Sequence, residues 1–390
     1  MNFLEKLLDG VAVEWKTLGK VATLRRGRVM SKGYLVDNAG SYPVFSSQTV
    51  NNGVIGKINT FDFDGEFISW TTDGANAGTV FYRSGKFSIT NVCGLIRIND
   101  KSNLNYKFLF YWLTIEAQRH VYSGMGNPKL MSHQVEKIPI PIPCPDNPEK
   151  SLAIQAEIVR ILDTFTALTA ELTAELTAEL TDRKKQYNYY RDRLLTFEKG
   201  EAEWKTLGEI CSSISAGGDL PKNFAKGQVD PTDEFPYPIY ANATGDNGLY
   251  GFTDGYKIES DAVTISARGA KIGYHAVREG KFTPIIRLIT LVSNKNVVLT
   301  KYLNCILDMT PIGGTDGGIP QLTVPTVKKI SIPLPPLAEQ ARIVAILDKF
   351  DALTNSIREG LPREIALRQK QYEYYRDLLL TFPKPEEVEA

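Results

Sequence analysis

The chain has 390 residues, of which 43% are hydrophobic and 23% charged, with 45 basic and 45 acidic side chains. This composition is typical of a globular protein long enough for two or more domains, and the zero net charge means that a nucleic-acid surface would need local basic patches. Three histidines and four distant cysteines without a CxxC pair exclude a zinc-finger framework and argue against a disulfide scaffold. With no signal-peptide pattern at its start and no run of about 20 apolar residues, the chain is expected to be cytoplasmic, with no membrane partner.

Taken in chain order, the elements of the first half return in the second half. The repeated motifs are Glu-Trp-Lys-Thr-Leu-Gly at Glu14 and Glu203, Lys-Ile-x-Ile-Pro-x-Pro at Lys137 and Lys329, Gln-Ala-x-Ile-Val-x-Ile-Leu-Asp at Gln155 and Gln340, and Lys-Gln-Tyr-x-Tyr-Tyr-Arg-Asp at Lys185 and Lys370. Collinear matches of this number indicate a tandem duplication.

Each half begins with a block of short alternating runs separated by glycine turns, which predicts a strand-dominated domain with a few helices. A proline-punctuated stretch follows, which we interpret as an extended connector because proline disfavours helix. A long helix completes each half. We divide the chain into residues 1–145 (first mainly β domain), 146–200 (central helix), 201–336 (second mainly β domain) and 337–390 (C-terminal helix).

The central helix contains Thr-Ala-Glu-Leu three times in succession, and these residues are strong helix formers. It is interpreted as a spacer measured in helical turns, although a low-complexity helix without a further role fits the same composition. The apolar stripe and its partner positions are Leu168, Leu172, Leu176, Leu180, Tyr187 and Tyr190 on the central helix, and Ile346, Leu353, Tyr372 and Tyr375 on the C-terminal helix.

We expect the two long helices to pack antiparallel, because that arrangement buries both stripes. A break is predicted at Gly360-Leu361-Pro362. The predicted fold class is α+β: a tandem duplication of two mainly β globular domains separated by two long antiparallel helices, in a pseudo-two-fold cyclic arrangement.

No catalytic motif repeats between the halves. The chain lacks the Asn/Asp-Pro-Pro-aromatic motif of amino methyl transfer and a GxxxxGK[ST] phosphate loop. We therefore expect no catalytic residue, no metal and no cofactor. The alternative is a stand-alone, metal-dependent nuclease built on Asp261, Glu279 and Lys281, although Ser84 replaces the glutamate in the first half.

Polar and basic loops of the two domains are the binding candidates, because such side chains contact phosphates and base edges. The selected DNA-binding residues are Arg25, Arg26, Arg28, Lys32, Ser46, Ser47, Gln48, Asn51, Thr71, Thr72, Asn76 and Lys129 in the first half, and Asn242, Thr244, Asn247, Arg268, Lys271 and Gln321 in the second. A solvated strand edge or ordinary turns would produce a similar pattern. Framework positions agree between the halves while these loops differ, which favours recognition of two different half-sites.

The duplicated layout, Gly-x-Pro-x-Leu at Gly126 and Gly318 before the Lys-Ile motif, the Glu339-Gln340 helix start and the Thr-Ala-Glu-Leu copies resemble the DNA specificity subunit of type I restriction-modification systems, class IC. The resemblance implies that the two mainly β domains are target recognition domains, each reading one half of a split DNA sequence. It also implies double-stranded DNA, two methylation subunits and restriction subunits as partners, with the methyl-donor and ATP sites on those partners. It also implies that the number of central repeats sets the gap between half-sites. A structural scaffold that binds no DNA is a further alternative.

Overall fold

The computed structural model describes residues 3–124, 126–198, 200–243, 248–269, 271–313, 321–354 and 360–383. The chain forms two compact units, Met1–Glu175 with Ala366–Ala390 (unit 1) and Leu176–Ile365 (unit 2). The units therefore divide the central helix between them, so the four-segment division remains a prediction about the sequence.

The recognition domain of unit 1 combines eight strands with five short helices, and the central helix follows it. The strands are β1 (Val13–Thr17), β2 (Ala22–Arg26), β3 (Ala39–Phe45), β4 (Val54–Ile58), β5 (Phe63–Thr71), β6 (Val80–Ile89), β7 (Cys93–Ile98) and β8 (Pro139–Pro143). The helices are α1 (Phe3–Leu8), α2 (Leu18–Val21), α3 (Lys32–Asp37), α4 (Tyr106–Arg119), α5 (Ser132–Val135) and α6 (Pro148–Leu195).

A six-stranded sheet of order β2-β7-β5-β6-β3-β4 forms the centre of unit 1. Asn105 is the N-cap residue of helix α4, and its side chain accepts hydrogen bonds from the backbone N–H groups of Lys107 and Phe108. Its buried face lies in one hydrophobic cluster with Ile68, Trp70 and other apolar sheet residues. This cluster holds the sheet in place against the helices.

The proline-rich connector is extended, as the sequence predicts, and it forms a paired strand. Strand β8 pairs antiparallel with β1, with Pro141 opposite Trp15 and Pro139 opposite Thr17. A proline lacks only the N–H donor, so a strand of a two-stranded sheet can carry prolines at alternate positions. The pairing also explains why the Glu-Trp-Lys-Thr and proline motifs are repeated together.

Unit 2 repeats this architecture with one interruption. Its strands are β9 (Glu203–Thr206), β10 (Cys211–Ala216), β11 (Phe224–Lys226), β12 (Tyr237–Tyr240), β13 (Leu249–Thr253), β14 (Ala262–Ser266), β15 (His275–Arg278), β16 (Thr283–Pro284), β17 (Leu288–Ser293) and β18 (Ser331–Leu334). Its recognition-domain helices are α7 (Leu207–Ile210), α8 (Thr300–Asp308) and α9 (Val324–Lys328), and α10 (Leu337–Thr354) and α11 (Leu361–Leu379) form the C-terminal helical region.

The sheet of unit 2 is split into β10-β17-β14-β15 and β11-β13-β12-β16. The split occurs where β15 and β16 replace the single long strand β6 of unit 1, and strand β11 is added beside β13. Strands β18 and β9 pair antiparallel, with Pro333 opposite Trp204, as β8 and β1 do.

The C-terminal helical region contributes to both units. In unit 1, the ring of Tyr375 stacks on Phe165 of α6 at 5.7 Å between centroids, and Leu379, Leu380 and Phe382 join the cluster that contains the residues of α1. The end of the C-terminal helix therefore packs against the N-terminal helix within unit 1. In the same unit, the indole N–H of Trp15 donates to the carbonyl of Pro383 at 2.9 Å.

In unit 2, the equivalent ring pair is Tyr190 of α6 on Phe350 of α10, at 5.5 Å. Helix α10 ends at Thr354 and α11 begins at Leu361, with the φ of Gly360 at +87°. The predicted break at Gly360 is confirmed, because a left-handed residue cannot continue an α-helix.

A buried glutamine attaches each recognition domain to its helix. The Gln155 amide accepts from the N–H of Asn105 at 2.8 Å and donates to the carbonyl of Asn103 at 3.0 Å. Gln340 repeats this with the N–H of Leu299 and the carbonyl of Val297. Both side chains are fully buried, so these bonds fix the position of each domain on its helix.

Candidate nucleic-acid interface

The strand ends of unit 1 that carry the candidate residues meet around the turn between β6 and β7, residues 90–92. Thr71 at the end of β5 pairs with Cys93, and Arg26 at the end of β2 pairs with Gly94. Phe45 at the end of β3 pairs with Ile89. The ends of three strands therefore lie at the same edge of the sheet, which we call the polar edge.

Hydrogen bonds attach the flanking loops to this turn. Nη2 of Arg26 donates to the carbonyl of Asn91 at 2.8 Å. The hydroxyl of Thr72 donates to the carbonyl of Val92 at 2.9 Å, and the hydroxyl of Thr90 to that of Ser46 at the same distance. The turn therefore organises the polar edge, although it contains none of the residues selected from the sequence.

Several candidates of unit 1 have exposed side chains, namely Arg25, Arg26, Lys32, Gln48, Asn51, Asn76 and Lys129, whereas Ser46 and Ser47 are half-buried. Arg28 is exposed but already has partners within the protein. Its Nε lies 3.0 Å from a carboxylate oxygen of Asp62, and its Nη2 donates to the hydroxyl of Tyr34. These bonds raise the pKa of Arg28, with the Tyr34 bond contributing most and the Asp62 bond next.

Thr71 and Thr72 are fully buried, and the Thr71 hydroxyl donates to the carbonyl of Asn76. We therefore assign these two threonines to the framework of the polar edge. Gln48 also uses its amide within the protein, donating to the carbonyl of Val54 at 2.7 Å.

Unit 2 has an equivalent polar edge around residues 285–287. The N–H of Ile285 donates to the carbonyl of Tyr240, and the N–H of Ala267 to the carbonyl of Arg287, both at 2.9 Å. Arg287 is exposed and has a φ of +66°, which is uncommon for a residue with a side chain. No local sequence pattern identifies Arg287, because this backbone geometry depends on tertiary structure.

Three candidates of unit 2 lie beside this turn. Nδ2 of Asn242 donates to the carbonyl of Arg268 at 2.9 Å, and Arg268 forms a β-bridge with the exposed Gln321. Arg268, Arg287 and Gln321 line a cleft of about 300 Å³. Lys271 is exposed. Thr244, Asn247 and the motif glycine Gly318 lie outside the described residues.

Matched positions at the two polar edges carry different side chains. The backbone bridge between Asp73 and Lys129 in unit 1 corresponds to the bridge between Arg268 and Gln321 in unit 2. In the central turn, Asn91 and Val92 correspond to Ile286 and Arg287. One backbone framework thus presents two chemically different surfaces.

The residues of the nuclease alternative have other partners. Lys281 pairs with Glu259 at 3.1 Å, and Asp261 accepts from the N–H of Gly280 at 2.9 Å and lies 3.5 Å from Lys295. Within the described ranges, no group of three or more His, Cys, Asp or Glu side chains is placed to hold a metal ion.

The side chains predicted to form the apolar stripe and its partner positions on the two long helices are buried to different degrees. Leu168 is 49% exposed, while Leu172, Leu176, Leu180, Tyr187, Tyr190, Ile346, Leu353 and Tyr372 are half-buried and Tyr375 is 40% exposed. The hydroxyls of Tyr372 and Thr166 lie 3.1 Å apart. Tyr189 and Tyr374, which are equivalent in the repeat, are 59% and 64% exposed. Across the described residues, no helix combines the length and apolar composition needed to cross a bilayer.

The duplicated domains, their differing polar edges and the long helices define a class of protein. Its members have two related domains with different binding surfaces, each joined to a long helix. The chain belongs to the type I restriction modification DNA specificity domain family, which matches residues 11–182 and 200–367. The two matched regions are the two copies of the internal repeat, each containing one recognition domain.

Curated relatives match the chain over nearly its full length. The EcoR124I/EcoR124II type I restriction enzyme specificity subunit of Escherichia coli is 38% identical, over 100% of this chain and 99% of that subunit. The EcoprrI specificity subunit of the same species is 36% identical, over 92% of each chain. A solved S subunit from M. genitalium covers 99% of this chain at 18% identity, with a TM-score of 0.50. A chain from a study of type I R-M complex assembly covers 94% at 17% identity, with a TM-score of 0.61. These structures share its fold.

Proposed function

We propose that the chain is the non-catalytic DNA-recognition and assembly subunit of a type I restriction-modification complex. Each polar edge reads one half of a bipartite, asymmetric target, and the helices set the gap between the half-sites. The observation that carries this proposal is the pair of matched backbone bridges with different side chains, Asp73–Lys129 and Arg268–Gln321. The side chains of the unit 1 bridge, Asp73 and Lys129, suit cytosine and guanine. Those of the unit 2 bridge, Arg268 and Gln321, suit guanine and adenine, so the two edges would favour different bases.

Partner binding is assigned to the helical regions. Tyr187, Tyr190, Tyr372 and Tyr375 belong to the repeated Tyr-x-Tyr-Tyr segments, and the exposed Tyr189 and Tyr374 of those segments offer an identical aromatic contact in each half. Aromatic side chains are enriched at interfaces, so two copies of one partner fit this repetition. We assign these surfaces to two methylation subunits, with restriction subunits joining the complete complex. We also propose a cytoplasmic location, and the DNA partner supports it because the complex must share a compartment with DNA.

The decisive experiment is to express the chain with its methylation partner in cells and map the methylated sites by single-molecule sequencing. We expect a split motif with two short half-sites and a fixed gap. Duplex binding by the purified complex should weaken steeply with salt, because each phosphate contact contributes a slope of about −0.9.

Other outcomes would favour the alternatives. Binding that is absent or insensitive to salt, with no new methylation from a soluble complex, would support the structural scaffold. Metal-dependent cleavage by the lone chain that is lost in Asp261→Asn or Glu279→Gln would support the nuclease. Retention of the methylation motif in these two variants is the result expected for a recognition subunit.

A further inference from the structure

Each recognition domain contains a buried arginine that lies close to a glycine with positive φ, Gly53 in unit 1 and Gly248 in unit 2. Arg83 and Arg278 are each 2% exposed, and both follow an equivalent repeat glycine, Gly78 or Gly273, by five residues. Their contacts are also equivalent: Nε donates at 3.0 Å to the hydroxyl of Ser69 or Thr264, and the guanidinium stacks at 3.7 Å on Phe45 or at 3.9 Å on Tyr240. Both copies of the repeat therefore contain the buried arginine, its hydroxyl acceptor and its stacked aromatic ring.

Neither guanidinium is neutralised within the described parts of the chain. The Arg83 side chain forms no salt bridge there, and its Nη2 is buried without a hydrogen-bond partner, as is Nη1 of Arg278. Burial lowers the pKa of Arg83 to about 10, so the side chain stays protonated at neutral pH. A buried, unpaired cation destabilises a domain, and an apolar side chain of similar volume is often neutral or stabilising in such a place.

The arginine of unit 1 is directly coupled to the loop above it. Nη1 of Arg83 donates to the carbonyl of Asn52 at 2.9 Å. Asn51, Asn52 and Gly53 all have positive φ, at 52°, 52° and 80°, and both asparagine side chains are exposed. A Cβ atom at Gly53 would lie 3.1 Å from Nη2 of Arg83, so the loop rests on the guanidinium.

Gly248 of unit 2 has a similar relation to Arg278. A Cβ atom at Gly248 would lie 3.5 Å from Nη2 of Arg278 and 2.9 Å from the carbonyl of Ala243, and Gly248 has a φ of 77°. Three consecutive left-handed residues, as in unit 1, are unfavourable unless the surrounding structure holds them. The buried cation provides that support at the cost of domain stability.

We propose that Arg83 and Arg278 are positioning residues for DNA recognition: Arg83 holds the turn of Asn51, Asn52 and Gly53, and Arg278 holds the backbone at Gly248, in the conformation that reads one half-site. This inference rests on the proposed function. The negative charge of bound DNA attracts the buried guanidinium across the loop, which offsets the free-energy cost of burying this cation. The buried arginine is therefore more favourable in the complex than in the free protein. The half-site specificity of each domain therefore depends on a residue that does not touch the bases.

The test compares variants in the complete chain with its methylation partner. Once the wild-type motif has been mapped, binding is measured to the intact duplex and to duplexes in which one half-site is scrambled. Arg83→Met should reduce discrimination at one half-site at least tenfold and leave the other unchanged. Arg278→Met should show the reverse pattern. Unfolding midpoints should stay within about 4 °C of wild type or rise, since an unpaired buried charge has been removed.

Arg83→Lys is the conservative variant and guards against misfolding of the methionine variant. It keeps the charge and one donor but lacks the planar fork, so its discrimination should lie between wild type and Arg83→Met. Arg97→Met, an exposed arginine at the other end of β7, is the matched control and should behave as wild type.

Two results would overturn the inference. One is unchanged discrimination in both methionine variants. The other is loss at both half-sites together, in parallel with a large drop in midpoint, which indicates support of the fold alone. If the wild-type complex itself modifies no split motif, the proposed function fails before any variant is compared, so the two failures are distinguishable.

Discussion

The residue His275 lies in a polar cavity of about 800 Å³ in unit 2, whose lining includes Lys301, Asn304 and Asp308. Its Nε2 is 3.2 Å from a carboxylate oxygen of Asp308, and its Nδ1 is 3.0 Å from the carbonyl of Gly273. Burial lowers the pKa of His275, but these hydrogen bonds and the charge of Asp308 together raise it by more, so its net shift is upward. The protonated imidazole is therefore stabilised by the fold.

This shift predicts a pH-dependent stability. Because the folded pKa exceeds the unfolded value of about 6.5, the contribution is fully present below pH 6.5 and is lost as pH rises through the folded pKa. In thermal unfolding between pH 5.5 and 8.5, His275→Gln should be less stable than wild type at the acidic end, with the difference shrinking as pH rises. The exposed His133→Gln is the control. A difference that grows with pH would contradict the assignment.

Which residues could be predicted depended on whether the signal was local. The exposed Arg25, Arg26 and Lys129 could be selected as candidates because polar loops stand out between apolar strands. Arg83 and Arg278 were missed although they occupy the same repeat position, because an arginine in a strand is ordinarily a surface residue. Arg287 could not be predicted, since both its backbone strain and its central location arise from non-local strand pairing.

At the scale of elements, the repeated Thr-Ala-Glu-Leu turns form part of the continuous 48-residue helix α6. Deleting Thr173–Leu176 removes about one turn, or roughly 6 Å, which corresponds to about two base pairs of duplex. We expect methylation mapping to show both half-sites unchanged and a gap shortened by about one or two base pairs. Glu175→Gln, which keeps the helix length, should leave the gap as in wild type. An unaltered gap in the deletion variant would refute the role of the repeats.

Helices and strands differed in what the sequence could predict. The long helices and the break at Gly360 follow from periodicity and composition, which act over a few residues. The order β2-β7-β5-β6-β3-β4 depends on contacts between distant segments, and no local pattern specifies it. The pairing of β8 with β1 was missed for the same reason. Each proline lacks a backbone N–H donor, but its carbonyl can still accept a hydrogen bond from a neighbouring strand, and no local pattern identifies that strand.

At the scale of the whole molecule, the core of unit 1 requires residues close to the end of the described chain. Phe382 is 4% exposed and packs edge-on against Phe108 at 5.8 Å and Trp112 at 6.1 Å. Phe382→Ala should lower the free energy of unfolding of unit 1 by about 3–5 kcal/mol, measured by chemical denaturation. The exposed neighbour Thr381→Ala should change it by less than about 1 kcal/mol. Equal effects of the two substitutions would show that the Phe382 packing contributes little.

The division of unit 1 between two distant segments has a consequence for biosynthesis. Unit 2 is one continuous segment, Leu176–Ile365, whereas the core of unit 1 contains Leu4 and Leu8 together with Leu379 and Phe382. Domains usually complete folding in the order in which the ribosome makes them. Here every residue of unit 2 has been translated before the last core residues of unit 1 exist. The recognition domain of unit 1 is therefore translated first but completes its core last. The core of unit 1 stays incomplete in the nascent chain until translation reaches Phe382.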